Sequence, residues 1–110
     1  MQWNIEFYDA KVMKSIQQWP VHISAKFIWI MELLEEFGPE SIGMPHVKTL
    51  GKGLFEIRAK GSEGIGRAFF CMIKDKNIII LHGFIKKTQK TPQKEIDLAK
   101  KRMLEVKKNE

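Results

Sequence analysis

Six cations in the second half of the chain, Lys48, Arg58, Arg67, Lys86, Lys87 and Lys90, are of the types that hold phosphate and fall on strands or strand ends. Arg58 and Arg67 flank one glycine-rich turn, and Lys86 to Lys90 leave a strand that lies beside them, so a phosphate would be gripped from several sides. Arg offers a planar fork to phosphate oxygens and Lys a point charge. Lys48, Lys86, Lys90 and Lys94 form the expected RNA-binding set. One reaction suits such a site without a metal. Attack of a ribose 2′-hydroxyl on its own phosphate needs a base for the hydroxyl proton, cations for the charge growing on phosphorus and an acid for the leaving oxygen. DNA has no such hydroxyl and would be spared. Arginine can only stabilise charge, whereas lysine can act as base if its neighbours depress its pKa. Two ammonium groups ~6 Å apart at an effective dielectric of ~40 repel by ~1.4 kcal/mol, about one pKa unit. Lysine then stays mostly protonated at neutral pH, and charge stabilisation is its role.

Histidines are the other acid/base candidates. His82 sits where an apolar strand turns polar, near the mouth of a site built on strand ends, while His46 opens an edge strand and His22 lies at a helix start. Only His82 is placed for catalysis. Tyr8, in the first strand, has a structural role, and Cys71, between Phe70 and Met72, is a buried thiol. Trp3, Trp19 and Trp29 fall on core stripes and are not expected to stack on bases. No Cys/His group has zinc-ligand spacing, so neither a metal nor any other cofactor is expected.

The elements that must position these residues follow from periodicity. Trp3, Ile5 and Phe7 alternate with polar neighbours, a strand with one buried face. Asp9 caps a helix carrying Val12, Met13 and Ile16 that ends near Trp19, ahead of Pro20. Ile23, Phe27, Ile30, Leu34 and Phe37 then form an amphipathic stripe stopped by Gly38-Pro39, with Lys26, Glu32, Glu35 and Glu36 on the other face. From residue 41 glycine and proline punctuate short strands: His46 to Leu50, Leu54 to Lys60, Arg67 to Lys74 after a GSEGIG hairpin turn, and the apolar run Ile78 to Leu81, which should be central. Thr91 is the expected N-cap, with Pro92 first inside, of a last helix buried along Ile96, Ala99, Met103 and Val106. Strand, helix, helix, four strands, helix is an α+β order, with helices packed on an antiparallel or mixed sheet.

Composition bounds the function. A chain of 110 residues, 44% hydrophobic and 29% charged, makes one domain, 1–110, with enough apolar surface to fold. One cysteine fits a reducing, cytoplasmic setting, and the N-terminus shows no signal-peptide pattern and no apolar run spans a bilayer, so a soluble, unprocessed protein without a membrane partner is expected. The net charge of +6 is unevenly spread: residues 1–45 carry three Lys against six acids, 46–85 seven cations against three acids, and 86–110 nine against four. The acidic front and basic back favour a polyanion, nucleic acid first.

The run Leu54-Phe55-Glu56-Ile57-Arg58, then Gly66-Arg67-Ala68-Phe69-Phe70, then Ile78 to Ile85 followed by Lys86-Lys87-Thr88-Gln89-Lys90-Thr91-Pro92, resembles the phage-derived, HigB-like branch of the RelE/ParE toxin superfamily. The segment GF-x-KKTxKTP behind an apolar strand is its most specific part. The resemblance implies a RelE-like fold and the toxin of a type II toxin–antitoxin pair, an endoribonuclease that cuts messenger RNA on the ribosome, inhibits translation and leaves a cyclic phosphate and a free 5′-hydroxyl. It implies an antitoxin partner with a helix-turn-helix domain and no small-molecule cofactor. By the same resemblance Arg67 contacts the scissile phosphate, Arg58 is the conserved arginine of the preceding strand, and Lys86 or Lys87 is the basic residue after the last strand. Arg67→Ala is then expected to abolish toxicity with folding intact. RelE has two lysines in the strand that here carries Glu56 and a late tyrosine absent here, so its acid/base assignment does not transfer. Two other activities remain open: inhibition of DNA gyrase, as in ParE-like members, and RNA binding without cleavage.

Overall fold

The computed structural model describes residues 2–86 and 90–110. Its elements are β1 (Asn4–Phe7), α1 (Ala10–Gln17), α2 (Val21–Phe37), a short 3-10 turn (Pro39–Ser41), β2 (Val47–Gly51), β3 (Leu54–Gly61), β4 (Gly64–Ile73), β5 (Asn77–Lys86) and α3 (Gln93–Lys108). The α+β reading holds, with five strands in the order β1-β5-β4-β3-β2. β5 runs parallel to β1 and antiparallel to β4, which occupies the middle. The apolar strand expected at the centre is instead second from one edge, still interior and covered on both faces because β1 pairs along its outer side, while β4 takes the central place.

Both faces of the sheet are covered, and unequally. Val12, Ile16, Trp19, Ile23, Phe27, Ile30 and Leu34 of the first two helices and the turn between them pack on one face, against Ile57, Ala59, Ala68, Phe70, Ile78 and Ile80. Asp9 starts α1 as expected, its carboxylate accepting the Val12 N–H at 2.9 Å. These helices lie very close to the sheet. A Cβ on Gly66 would come within 2.6 Å of Ile23 Cγ2 and 2.7 Å of Trp19 Cζ3. Gly66→Ala is therefore expected to cost about 1–3 kcal/mol through overpacking. Urea denaturation reads this as a lowered midpoint, and an unchanged midpoint would contradict the close-packing account.

On the opposite face α3 buries Ala99 and Met103 against Leu54, Phe69, Cys71, Ile79 and Leu81. It covers only part of that face. Along β3 the same side of the strand reads Leu54, Glu56, Arg58, Lys60, so the apolar half lies under α3 and the charged half extends past its N-terminal end. The β3–β4 hairpin turns at Ser62-Glu63 between the paired Gly61 and Gly64, which sets Arg58 directly opposite Arg67.

Two expectations about local structure are corrected, and one burial was not foreseen. Thr91 does not cap α3: the N-cap position is Pro92, without a side-chain cap, because the Thr91 hydroxyl is engaged across the sheet. Trp29 is not a core residue; it is 43% exposed on α2, and Phe37, at the end of the expected stripe, is also exposed. Glu56, in a polar slot of an alternating strand, is fully buried. No helix among the described residues is long and apolar enough to cross a membrane.

Candidate functional site

The charged half of the sheet is organised around Glu56. Arg58 and Arg67 are Cα partners across the β3–β4 pair, and like charges so placed repel. Glu56, two residues before Arg58 and on the same face, relieves this: Oε1 accepts from Arg58 Nε at 3.0 Å and Oε2 faces Arg67 NH1 at 3.4 Å. Thr91 closes the arrangement, its hydroxyl donating to Glu56 Oε2 at 2.7 Å and accepting from Arg67 NH1 at 3.0 Å. Arg67 and Glu56 are wholly buried, while the Arg58 side chain remains 21% exposed. The structure thus brings the two arginines together but assigns them different positions. Arg58 reaches the surface and Arg67 stands behind it. The expectation that Arg67 could be removed with folding intact is corrected by this burial, since its loss would empty a packed, charge-balanced position.

A groove of about 420 Å³ opens over this network, lined by Lys48, Leu50, Glu56, Arg58, Lys90, Thr91 and Ile96. Lys48 is the Cα partner of Glu56 on the edge strand β2, and Lys90 precedes α3. Among the described residues that line it, three cations stand against one carboxylate, so the groove has a positive excess beside the apolar Leu50 and Ile96. That arrangement can hold a phosphate diester and lower the energy of charge developing on it.

Other expected residues lie elsewhere. Lys86 is exposed at the end of β5, paired with Ile65, and Lys94 is exposed on the first turn of α3; neither lines the groove. Lys87 lies outside the described residues. His82 is on the same sheet face, but its Nε2 is 2.7 Å from Glu95 Oε1 and its ring stacks with Phe69 and Phe84 at 6.2 and 5.8 Å. It is packed and hydrogen-bonded, away from the groove lining. The Tyr8 hydroxyl donates to Glu105 at 2.5 Å under the Arg102 guanidinium; that hydrogen bond, with burial, raises the phenol above its usual range. Cys71 is buried, and desolvation pushes its thiol up to about 11, well away from a reactive thiolate. No His/Cys/Asp/Glu group among the described residues could hold a metal ion.

Residue types alone did not select Glu56 or Thr91. A signal existed: period-2 alternation puts Glu56 beside Arg58, and the tight turn at Ser62-Glu63 puts Arg67 opposite, so an acid among two facing arginines was within reach of the sequence.

Residues 14–104 match the family described as Phage derived protein Gp49-like (DUF891). The chain belongs to that family. No curated protein matches this Gp49-like chain. Among solved structures it is similar to the archaeal RelE–RelB complex from Pyrococcus horikoshii OT3, with 23% identity, a TM-score of 0.57, and coverage of 82% of this chain and 100% of that one. It is also similar to a doubly substituted mutant of the E. coli toxin RelE in the free state, with 14% identity, a TM-score of 0.66, and coverage of 94% of this chain and 99% of that one. The Gp49-like chain has the RelE fold, as the motifs around Arg58, Arg67 and the segment after β5 led one to expect.

Proposed function

We propose that this Gp49-like protein is the toxin of a type II toxin–antitoxin pair, of the HigB-like branch, and acts as an endoribonuclease on messenger RNA, inhibiting translation. The observation that carries the reading is the groove in which Arg58, Lys48 and Lys90 converge over the buried Glu56–Arg67 pair on a RelE fold. The RNA would supply its own nucleophile: the 2′-hydroxyl attacks the adjacent phosphorus, the 5′-oxygen of the next nucleotide leaves, and the products are a cyclic phosphate and a 5′-hydroxyl. Arg58 presents a cation to the equatorial oxygens, and Lys48 and Lys90 add charge around it. Arg67 acts from behind, through Glu56, by fixing where the Arg58 guanidinium stands. Lys86 and Lys94, exposed beyond the groove, extend the basic strip along which the rest of the RNA lies, and Lys87 is retained from its place in the sequence as a catalytic cation. His82 is an acid/base candidate only if its bond to Glu95 opens.

In this reading the single domain 1–110 works in the cytoplasm on mRNA held by the ribosome, without a cofactor, and is silenced by an antitoxin carrying a helix-turn-helix domain. The solved RelE–RelB complex of a fold relative supports an antitoxin partner, and the helix-turn-helix domain is proposed from the sequence resemblance alone. Inducing the protein in cells and mapping transcript 5′ ends by primer extension tests the proposal. Cuts in phase with codons are the expected result. Intact transcripts in growth-arrested cells would overturn it, and DNA-damage signalling alongside them would point to gyrase.

A further inference from the structure

A second cavity, of about 450 Å³, lies where the loop before β2 approaches α2. Its walls are Lys26 of α2, Met44, Pro45 and His46 of the loop, and Arg58 and Lys60 of β3. Three permanent cations line it together with Met44, Pro45 and His46, and no acid is among the described lining residues. The fold does not require this, because Lys26 and Lys60 could point into solvent anywhere on these elements.

Trp29 explains how the walls are held. Although aromatic and 43% exposed, it takes the Lys26 ammonium over its ring at 5.0 Å and the His46 ring edge-on at 5.0 Å and 85°. One exposed indole therefore fixes a cation and an imidazole together. The His46 carbonyl accepts the Arg58 N–H at 2.8 Å, which ties the loop to β3. Arg58 is also a wall of the groove over Glu56, so the two cavities share one residue. Glu32, Glu35 and Glu36, exposed further along α2, bound the cationic surface on the far side.

The geometry points to a nucleotide subsite. One base of a single-stranded RNA lies in the cavity against Met44, Pro45 and His46, its phosphates rest on Lys26 and Lys60, and the strand continues across Arg58 into the groove. A flat ring with a flexible polyanionic backbone matches an apolar and imidazole wall edged by cations, which is how unpaired bases are held. An acidic protein segment would satisfy the cations but has no use for the flat wall. This subsite rests on the reading that the groove takes RNA, and it adds a base-contacting position beside it.

Binding of a 2′-O-methyl hexanucleotide RNA, which cannot be cut by 2′-hydroxyl attack, tests the inference. In NMR titrations of the whole protein the Trp29 indole N–H and the His46 ring signals should move. His46→Ala should bind about tenfold more weakly, the loss of one stacked base. The Lys26→Ala/Lys60→Ala variant should also bind more weakly, with a log–log salt slope shallower by about 1.4, two phosphates at about 0.7 each. Lys11→Ala, exposed on α1, serves as the control and should bind as the native chain does, and amide dispersion reports that each variant is folded. Native affinity in both cavity variants would overturn the subsite, as would Trp29 and His46 signals that move only on addition of an antitoxin protein. The two readings fail separately. Cavity-dependent binding with intact transcripts in cells keeps the subsite and sinks the nuclease, whereas codon-phased cuts with unaltered binding by the cavity variants do the reverse.

Discussion

Replacing Glu56 with alanine should lower the folding stability by about 3–5 kcal/mol, the cost of breaking a buried ion pair by removing one partner. Its carboxylate is the only acid among the described residues that line the groove, it is wholly buried, and it bonds to Arg58, Arg67 and Thr91 at once. In its absence the Arg67 guanidinium would keep its charge in a position closed to water, directly opposite Arg58. Glu56→Gln keeps the shape and one acceptor oxygen but not the charge, so its cost should be smaller. Arg58→Ala removes a partly exposed partner and should cost no more than about 1 kcal/mol. Glu56→Leu combined with Arg67→Met should recover much of the loss, because an apolar pair of similar volume leaves no buried charge. Urea denaturation followed by tryptophan fluorescence would rank the four variants. A Glu56→Ala midpoint equal to that of Arg58→Ala would defeat the account.

The reason this residue escaped sequence reading is instructive about what patterns carry. Helix and strand placement was legible because each rests on a local period: Ile23, Phe27, Ile30 and Leu34 are all buried where a 3.6-residue repeat puts them, and Asp9 caps α1. The β3–β4 hairpin was equally legible, since Gly61 to Gly64 leave room for one tight turn. Long-range partnerships were not. The parallel pairing of β1 with β5 joins segments about seventy residues apart, and nothing local announces it. Thr91 scored as an N-cap on local grounds, Ser and Thr before Pro being good helix starts. Its hydroxyl instead meets a carboxylate and a guanidinium that arrive from β3 and β4, and satisfying a buried charge outweighs one capping bond. Trp29 fails in the other direction. It sits between Ile28 and Ile30 in an apolar helix, yet its contacts with Lys26 and His46 hold it at the surface.

That same three-dimensional arrangement moves the decisive test of activity from Arg67 to Arg58. Both arginines carry the motif, but only Arg58 lines the groove, and its substitution leaves Glu56 paired with Arg67. Arg58→Ala should therefore reduce RNA cleavage by about 10²–10³-fold, the usual loss when one preorganised group facing developing charge is removed. Folding should stay close to native. Arg58→Lys restores the charge without the planar fork and should fall between the two, because an ammonium cannot bond to Glu56 and two phosphate oxygens in one plane. Arg67→Ala should lose activity and stability together, and its defect would not separate position from fold. Cleavage of a model transcript in a translation extract, with matched denaturation curves, measures both quantities for each variant. If Arg58→Ala cut within threefold of the native rate while folded, the groove would not be the site of chemistry. If Arg58→Lys were as inactive as Arg58→Ala, the forked geometry, with Glu56 holding Nε and the rest of the guanidinium left for the phosphate, would be the part of the arrangement that catalysis depends on.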